Sequence, residues 1–180
     1  MKEFELKQGR GTVKFSINEK NVIGVLDNTP STCSKTEEEV IKEALQNPIA
    51  SPILSEIVHA GEKICIVIPD ITRAWQKSSL YLPFIVAELT KAGIVDKDIL
   101  FISATGSHRK QTQSEYKQLL GETLYGKYNI IDHDCHDKDN LIYLGKTSFG
   151  TPVSINKKAM ECDHIIIAGG IRSEERRVGK

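Results

Sequence analysis

Charge of one sign is what this sequence most plainly lacks: Lys plus Arg and Asp plus Glu stand at 24 each. With no net field, neither nucleic acid nor an anionic membrane surface is favoured as a partner. Aromatic residues make up only 6%, and no basic stripe runs between them, which argues against a stacking platform for single-stranded nucleic acid. No apolar run approaches the roughly 20 residues that span a bilayer. The opening MKEFELKQGR alternates charged and apolar side chains and lacks the apolar stretch of a signal peptide. The four cysteines, Cys33, Cys65, Cys135 and Cys162, form no CxxC pair. Cys65 lies inside an apolar run, so reduced thiols in the cytoplasm are the expectation. Neither the GxGxxG nor the GxxxxGK[ST] spacing occurs, which counts against a dinucleotide fingerprint and a phosphate loop.

What is present is a core. The 180 residues are 39% hydrophobic and 27% charged, enough for one domain, or one domain with a small appendage. From Glu3 to Leu26, Phe4, Leu6, Val13, Phe15, Ile17, Val22 and Val25 alternate with polar partners, broken at Gly9-Arg10-Gly11 and Asn18 to Asn21; this predicts an antiparallel meander of short strands. Thr36 with Glu39 makes a capping box for a helix whose apolar face is Val40, Ile41, Ala44 and Leu45, and Ser51-Pro52 starts another that Gly61 closes. From Lys63 onward the runs KICIVI, ILFIS, YNII and HIII are continuous and rich in Ile and Val, as in strands covered on both faces. Helices are predicted between the first three, at 78–92 and 112–120, and a hairpin with a short helix at 142–161 precedes the last. Strand and helix in alternation predict an α/β fold with a largely parallel, Rossmann-like sheet flanked by helices.

The reading assigns residues 1–171 to this α/β domain and sets 172–180 apart. RSEERRVGK follows directly on HIIIAGGI, six of its nine residues are charged, and no apolar periodicity could build a next helix. It is read as a non-native tail of sequencing-adapter type, with a C-terminal domain missing after it.

In open α/β sheets ligands bind at the carboxyl ends of the strands. Each apolar run empties into a polar or glycine-rich loop: Pro69 to Arg73, Ala104 to Arg109, Asp132 to Asp137, and Ala168 to Gly170. A parallel sheet would gather all four on one edge. In the first loop Arg73 could clamp a substrate carboxylate by two parallel hydrogen bonds, with Thr72 beside it and Asp70 orienting the arginine or a donor on the substrate. The competing reading is a local Asp–Arg ion pair with Thr72 capping the next helix. In the second loop Thr105, Gly106 and Ser107 let a ligand approach the backbone, and His108 would project as a general acid/base. In the third, His133, Cys135 and His136 are metal-ligand types without a second ligand pair elsewhere, so a polar rim loop is favoured over a metal site. His59 and His164 carry no pattern, and Trp75 is expected to pack.

In this order PDITR, ATGSHR, the His-Asp loop after YNII, NLIYLGKTSFGTPVSINKKAMECD and HIIIAGGI resemble the lactate racemase family over roughly Leu26 to Ile171. The resemblance implies an N-terminal α/β domain facing a second domain across the active site, with a nickel pincer nucleotide attached to a lysine. It implies interconversion of 2-hydroxy acid enantiomers by hydride transfer, two histidines serving the two faces of the substrate. Carried over residue by residue, His108 matches one acid/base histidine, Arg73 the carboxylate-holding arginine and Asp70 the site aspartate. Thr105, Gly106 and Ser107 are candidates to border the cofactor. Where the second histidine is expected the sequence has Ser173-Glu174, and Lys180 lacks the glycine-rich context of the cofactor lysine. The cofactor lysine and the nickel-ligand histidine are expected in the missing region, so the chain is expected to hold no metal and to be inactive alone. The alternative is a non-catalytic α/β module that binds a small anion.

Overall fold

The computed structural model describes residues 1–26 and 33–170. The chain divides into two compact units, Met1–Ser34 and Lys35–Lys180. The adapter-like tail and the positions of Ser173-Glu174 lie outside the described residues.

In the first unit, β1 (Lys2–Gln8) and β2 (Gly11–Ile17) form an antiparallel hairpin. The connection is two residues long because Gly9 takes φ +58°, a left-handed conformation that costs glycine little. Phe4 and Phe15 face each other across the pair with ring centroids 5.7 Å apart. A 3-10 turn at Glu19–Asn21 follows. The alternation at Val22 and Val25 forms no third strand among the described residues, so the predicted meander is a hairpin.

The second unit opens with α1 (Glu37–Gln46). Its capping box is present in both directions: Glu39 N donates to Thr36 Oγ1 at 3.2 Å, and Thr36 N to Glu39 Oε2 at 2.7 Å. Next comes α2 (Leu54–Ile57), a single turn shorter than the sequence predicts, since Ile53 stays extended and Val58 leaves the helix. Then follow β3 (Ile64–Pro69), α3 (Ser78–Lys91), β4 (Ile99–Ala104), α4 (Gln113–Leu124) and β5 (Asn129–Asp132). A separate hairpin, β6 (Leu141–Lys146) with β7 (Pro152–Asn156), leads through α5 (Lys157–Met160) to β8 (His164–Ile167).

The main sheet has the order β5-β4-β3-β8, and all three of its pairings are parallel. Period-two alternation sorts its side chains. Ile64, Ile66, Ile68, Ile99 and Phe101 pack on one face with Leu82, Val86 and Leu89 of α3 and Leu119, Leu120 and Leu124 of α4. Cys65 and Ile102 lie on the other face with Ala159 of α5 and Ile155 of β7. α3 and α4 share one face, as two crossovers of the usual right hand in one direction require, and the return to β8 on the far side of β3 uses the other. On that second face Ile167 of β8 is 82% exposed among the described residues.

α3 ends where the sequence predicts, by a Schellman motif. Gly93 N bonds to Thr90 O and Ile94 N to Leu89 O, both at 3.0 Å, and Leu89 and Ile94 are buried together. In α4, Gly121 takes φ +74°, ψ 170°, so the predicted stop is a kink after which the chain turns once more to Leu124. No helix among the described residues is long and apolar enough to cross a membrane.

Candidate functional site

The chain runs from β3 outward to β4 and β5, then returns to lie on the other side of β3. The strand order reverses between β3 and β8, and ligands of open α/β sheets bind at the carboxyl ends of the strands beside such a point. A cleft of about 480 Å³ lies there, lined by the exits of three strands: Pro69, Asp70, Thr72, Arg73 and Gln76; Ala104 to His108; and Ile167 to Gly170. Three of the four predicted loops thus converge. The fourth, after β5, borders a different groove of about 650 Å³ that includes Asp132, Asp134 and Asp137. The reason is position, since β5 is the outermost strand, two away from the switch point.

Asp70 is the buried centre of the cleft, 5% exposed. Its Oδ1 accepts from Thr72 Oγ1 at 2.6 Å, and its Oδ2 lies 2.5 Å from His108 Nδ1. Burial pushes the carboxyl up, but the hydrogen bonds from Thr72 and His108 outweigh it and hold Asp70 below the usual carboxylate range. An ionised carboxylate can only accept, so Nδ1 of His108 carries the proton in that contact. In the neutral ring Nε2 then has a free lone pair, and the side chain is half exposed in the cleft wall. This is the arrangement of an oriented general base.

The histidine is delivered by a tight turn. His108 N bonds to Thr105 O at 3.0 Å, with Gly106 at φ +59°. Thr105 is 3% exposed and its hydroxyl donates to the His133 carbonyl, so it serves as an anchor and leaves Gly106 and Ser107 as the open wall. A Cβ added at Gly106 would meet nothing within 4 Å.

Arg73 stands on the 3-10 segment Ile71–Gln76, its backbone N bonded to Asp70 O at 2.9 Å. Its Nη1 donates to Thr72 Oγ1 at 3.3 Å, and among the described residues it pairs with no carboxylate. The competing reading of an Asp70–Arg73 ion pair does not hold among the described residues: the carboxylate bonds to His108 and Thr72, and reaches Arg73 only through the Thr72 hydroxyl. Among the described residues nothing neutralises the guanidinium, which leaves it able to take an external anion. Arg109, next to the histidine, is not: it forks onto Glu115 at 2.7 and 2.9 Å and, with the Thr112 backbone, draws that carboxyl down to about 2.

Trp75, expected to pack, is 71% exposed. On the kinked segment Ile71–Gln76, Ile71 and Ala74 are partly buried while Thr72 and Trp75 are exposed. In the loop after β5, His133 Nδ1 faces the Asn156 amide at 3.4 Å. No group of three or more His, Cys, Asp or Glu among the described residues could hold a metal ion. His164 pairs with Glu62 at 3.1 Å.

Two glutamines went unnoticed in the sequence. Gln76 Oε1 accepts from Gly170 N at 3.1 Å and joins the exits of β3 and β8. Gln111, three residues after the histidine, reaches Ile71, Ser103 and Asp132. Its position directly before the capping Thr112 was the only signal available.

The family model described as lactate racemase N-terminal domain matches residues 8–174. The lactate racemase of Thermoanaerobacterium thermosaccharolyticum is 28% identical over 173 residues, which cover 95% of this chain and 40% of that protein. The lactate racemase of Lactiplantibacillus plantarum is 29% identical over 175 residues, 96% of this chain and 41% of that one. The structure of the Thermoanaerobacterium lactate racemase apoprotein superposes with a TM-score of 0.79 at 29% identity, over 92% of this chain and 38% of that one. A Thermotoga maritima protein shares the fold alone, with a TM-score of 0.55 at 20% identity over 79% of this chain and 34% of its own. The chain thus spans about 40% of the length of the curated relatives it matches.

Proposed function

The chain belongs to the lactate racemase N-terminal domain family, and from that premise we propose that it forms one wall of the active site of a 2-hydroxy acid racemase or epimerase. The single observation that carries the proposal is the Asp70–His108 pair in the same cleft as a guanidinium that pairs with no carboxylate among the described residues.

Arg73 would hold the substrate carboxylate by paired charge-assisted hydrogen bonds and so fix its plane. His108 Nε2 would take the proton of the adjacent hydroxyl, and Asp70, already bonded to Nδ1, would stabilise the imidazolium that results. When the ketone is reduced again, the same nitrogen returns the proton. Thr72 holds the Asp70 carboxylate in place and supports the Arg73 head, a role within the site more than a contact with substrate.

Such a proton transfer completes an oxidation only if the carbon's hydride has somewhere to go. The chemistry that the family's nickel pincer nucleotide supplies when bound is reversible acceptance of that hydride. The fit with this chain is partial. Gly106 and Ser107 leave an open, small-residue wall against which a flat group could lie. No lysine lines the cleft, and no metal-ligand set exists among the described residues. The attachment lysine and the nickel ligand are therefore assigned to the part of the relatives beyond the match, and the histidine for the opposite substrate face to the stretch after Gly170, where this sequence has Ser173-Glu174. On this reading the chain alone is inactive and works in the cytoplasm, where the Cys65 thiol, pushed up to about 12 by burial, stays inert.

The test is to supply the region beyond residue 170 from the Thermoanaerobacterium enzyme, load the nickel cofactor, and assay a panel of 2-hydroxy acids for loss of optical purity. Racemisation is expected with at least one member, and His108→Ala should abolish it. Undiminished turnover in H108A would refute the role assigned to the imidazole.

A further inference from the structure

The side chain of Gln111 joins the exits of three parallel strands. Its Oε1 accepts from Ile71 N at 2.8 Å, just after β3. Its Nε2 donates to Ser103 Oγ in β4 at 2.5 Å and to Asp132 Oδ1 at the end of β5 at 3.1 Å. Its backbone N donates to Asp132 Oδ2 at 2.8 Å. Ser103 is fully buried, so the head of the glutamine reaches down to the sheet.

These bonds fall beside the cleft in a particular way. Ile71 follows Asp70 directly, and Gln111 lies three residues past His108. The segment that carries the carboxylate and the segment that carries the imidazole are separated by 38 residues of chain. The carboxamide spans them through a single planar group. We propose that Gln111 is a positioning residue that sets the separation of Asp70 and His108, and so keeps the imidazole in the Nδ1–H form with Nε2 toward the cleft.

Only an amide meets the demands of this position. One atom must accept from a backbone N–H while another donates to a hydroxyl and to a carboxylate. Glutamate would set a second carboxylate against Asp132. Methionine would fill the volume and make none of the bonds. Asparagine is a methylene too short to make the same span. The catalytic meaning of the brace rests on the proposed function; its effect on the tautomer does not.

The experiment is ¹⁵N NMR of the 180-residue chain labelled in histidine, with the rings neutral and His108 assigned from the spectrum of H108Q. The wild type is expected to show a single Nδ1–H form at His108. Gln111→Met should lose that preference and show a mixed population while the chain stays folded. Ser103→Ala, which strips one bond from the brace, should show a smaller shift in the same direction. Ser78→Ala removes a buried bond to Leu119 O, in which no residue of the brace takes part, and should lower the unfolding midpoint without changing the tautomer. The wild-type signature in Q111M overturns the proposal, as does an unchanged signature in S103A should Q111M not fold. An Nε2–H form in the wild type would instead remove the Asp70–His108 pairing and with it the role proposed for His108.

Discussion

The Oδ2 of Asp70 lies 2.5 Å from Nδ1 of His108, and the two residues reach each other from the ends of adjacent parallel strands. The carboxylate is buried and the imidazole half exposed, so the pair has a fixed partner below and a free nitrogen above. An oriented base of this kind needs no rearrangement when it takes a proton, because the charge it acquires already faces its counterion.

That burial makes Asp70 a reporter of acid stability. Its folded pKa is depressed, so the stabilisation it provides is complete above the unfolded-state value of about 3.9 and is lost as pH falls through the folded value. Asp70→Asn should be less stable than wild type at neutral pH, and the gap in urea midpoint should narrow as the pH is lowered through that window. Parallel curves would show that the carboxylate contributes nothing linked to its ionisation.

Arginine at position 73 should not be replaceable by lysine. A lysine keeps the charge but cannot form the planar pair of bonds to a carboxylate. Loss of one charge-assisted bond, roughly 1.5–3 kcal/mol, predicts a fall in kcat/KM of about tenfold to a hundredfold for Arg73→Lys in the restored enzyme. The effect should sit mainly in KM. An unaltered KM with a lowered kcat would move Arg73 from substrate binding to the chemical step.

A third expectation concerns the frame behind the site. At φ +90°, Gly93 closes α3, and an added Cβ would lie 2.9 Å from Ala60 Cβ. Gly93→Ala meets a left-handed backbone penalty of about 1–2 kcal/mol before the contact with Ala60, which has no side-chain freedom to yield. Chemical denaturation should show at least that loss. A change within error would mean that the Schellman end can reopen without cost.

Much of this architecture was legible because it is written locally. The strand runs, the Thr36–Glu39 and Thr112–Glu115 capping boxes and the Gly93 stop depend on neighbours within a few residues, where spacing is a direct readout of geometry. Convergence of loops was legible too, because parallel topology dictates it. What spacing could not show were partners across the sheet. The aspartate was matched with the nearest cation, Arg73, whereas a histidine 38 residues on takes its carboxylate. Gln111 offered only its place before the capping Thr112, since its side-chain bonds are to residues 8 to 40 positions away. Val22 and Val25 mislead in the opposite direction: alternation marks a chain that can pair, and pairing also needs a partner strand.

The order of strands bears on when the cleft comes into being. β3, β4 and β5 are successive in the chain, and each needs only one intervening helix to meet its neighbour. β8 must come back across 100 residues, the separation of Lys63 and Asp163, whose backbone-to-carboxylate bond of 2.8 Å fixes its start. Closing so long a loop is entropically slow. Loop closure alone then predicts that the Asp70–His108 pair assembles with the early part of the sheet and that the Ala168–Gly170 wall joins it last.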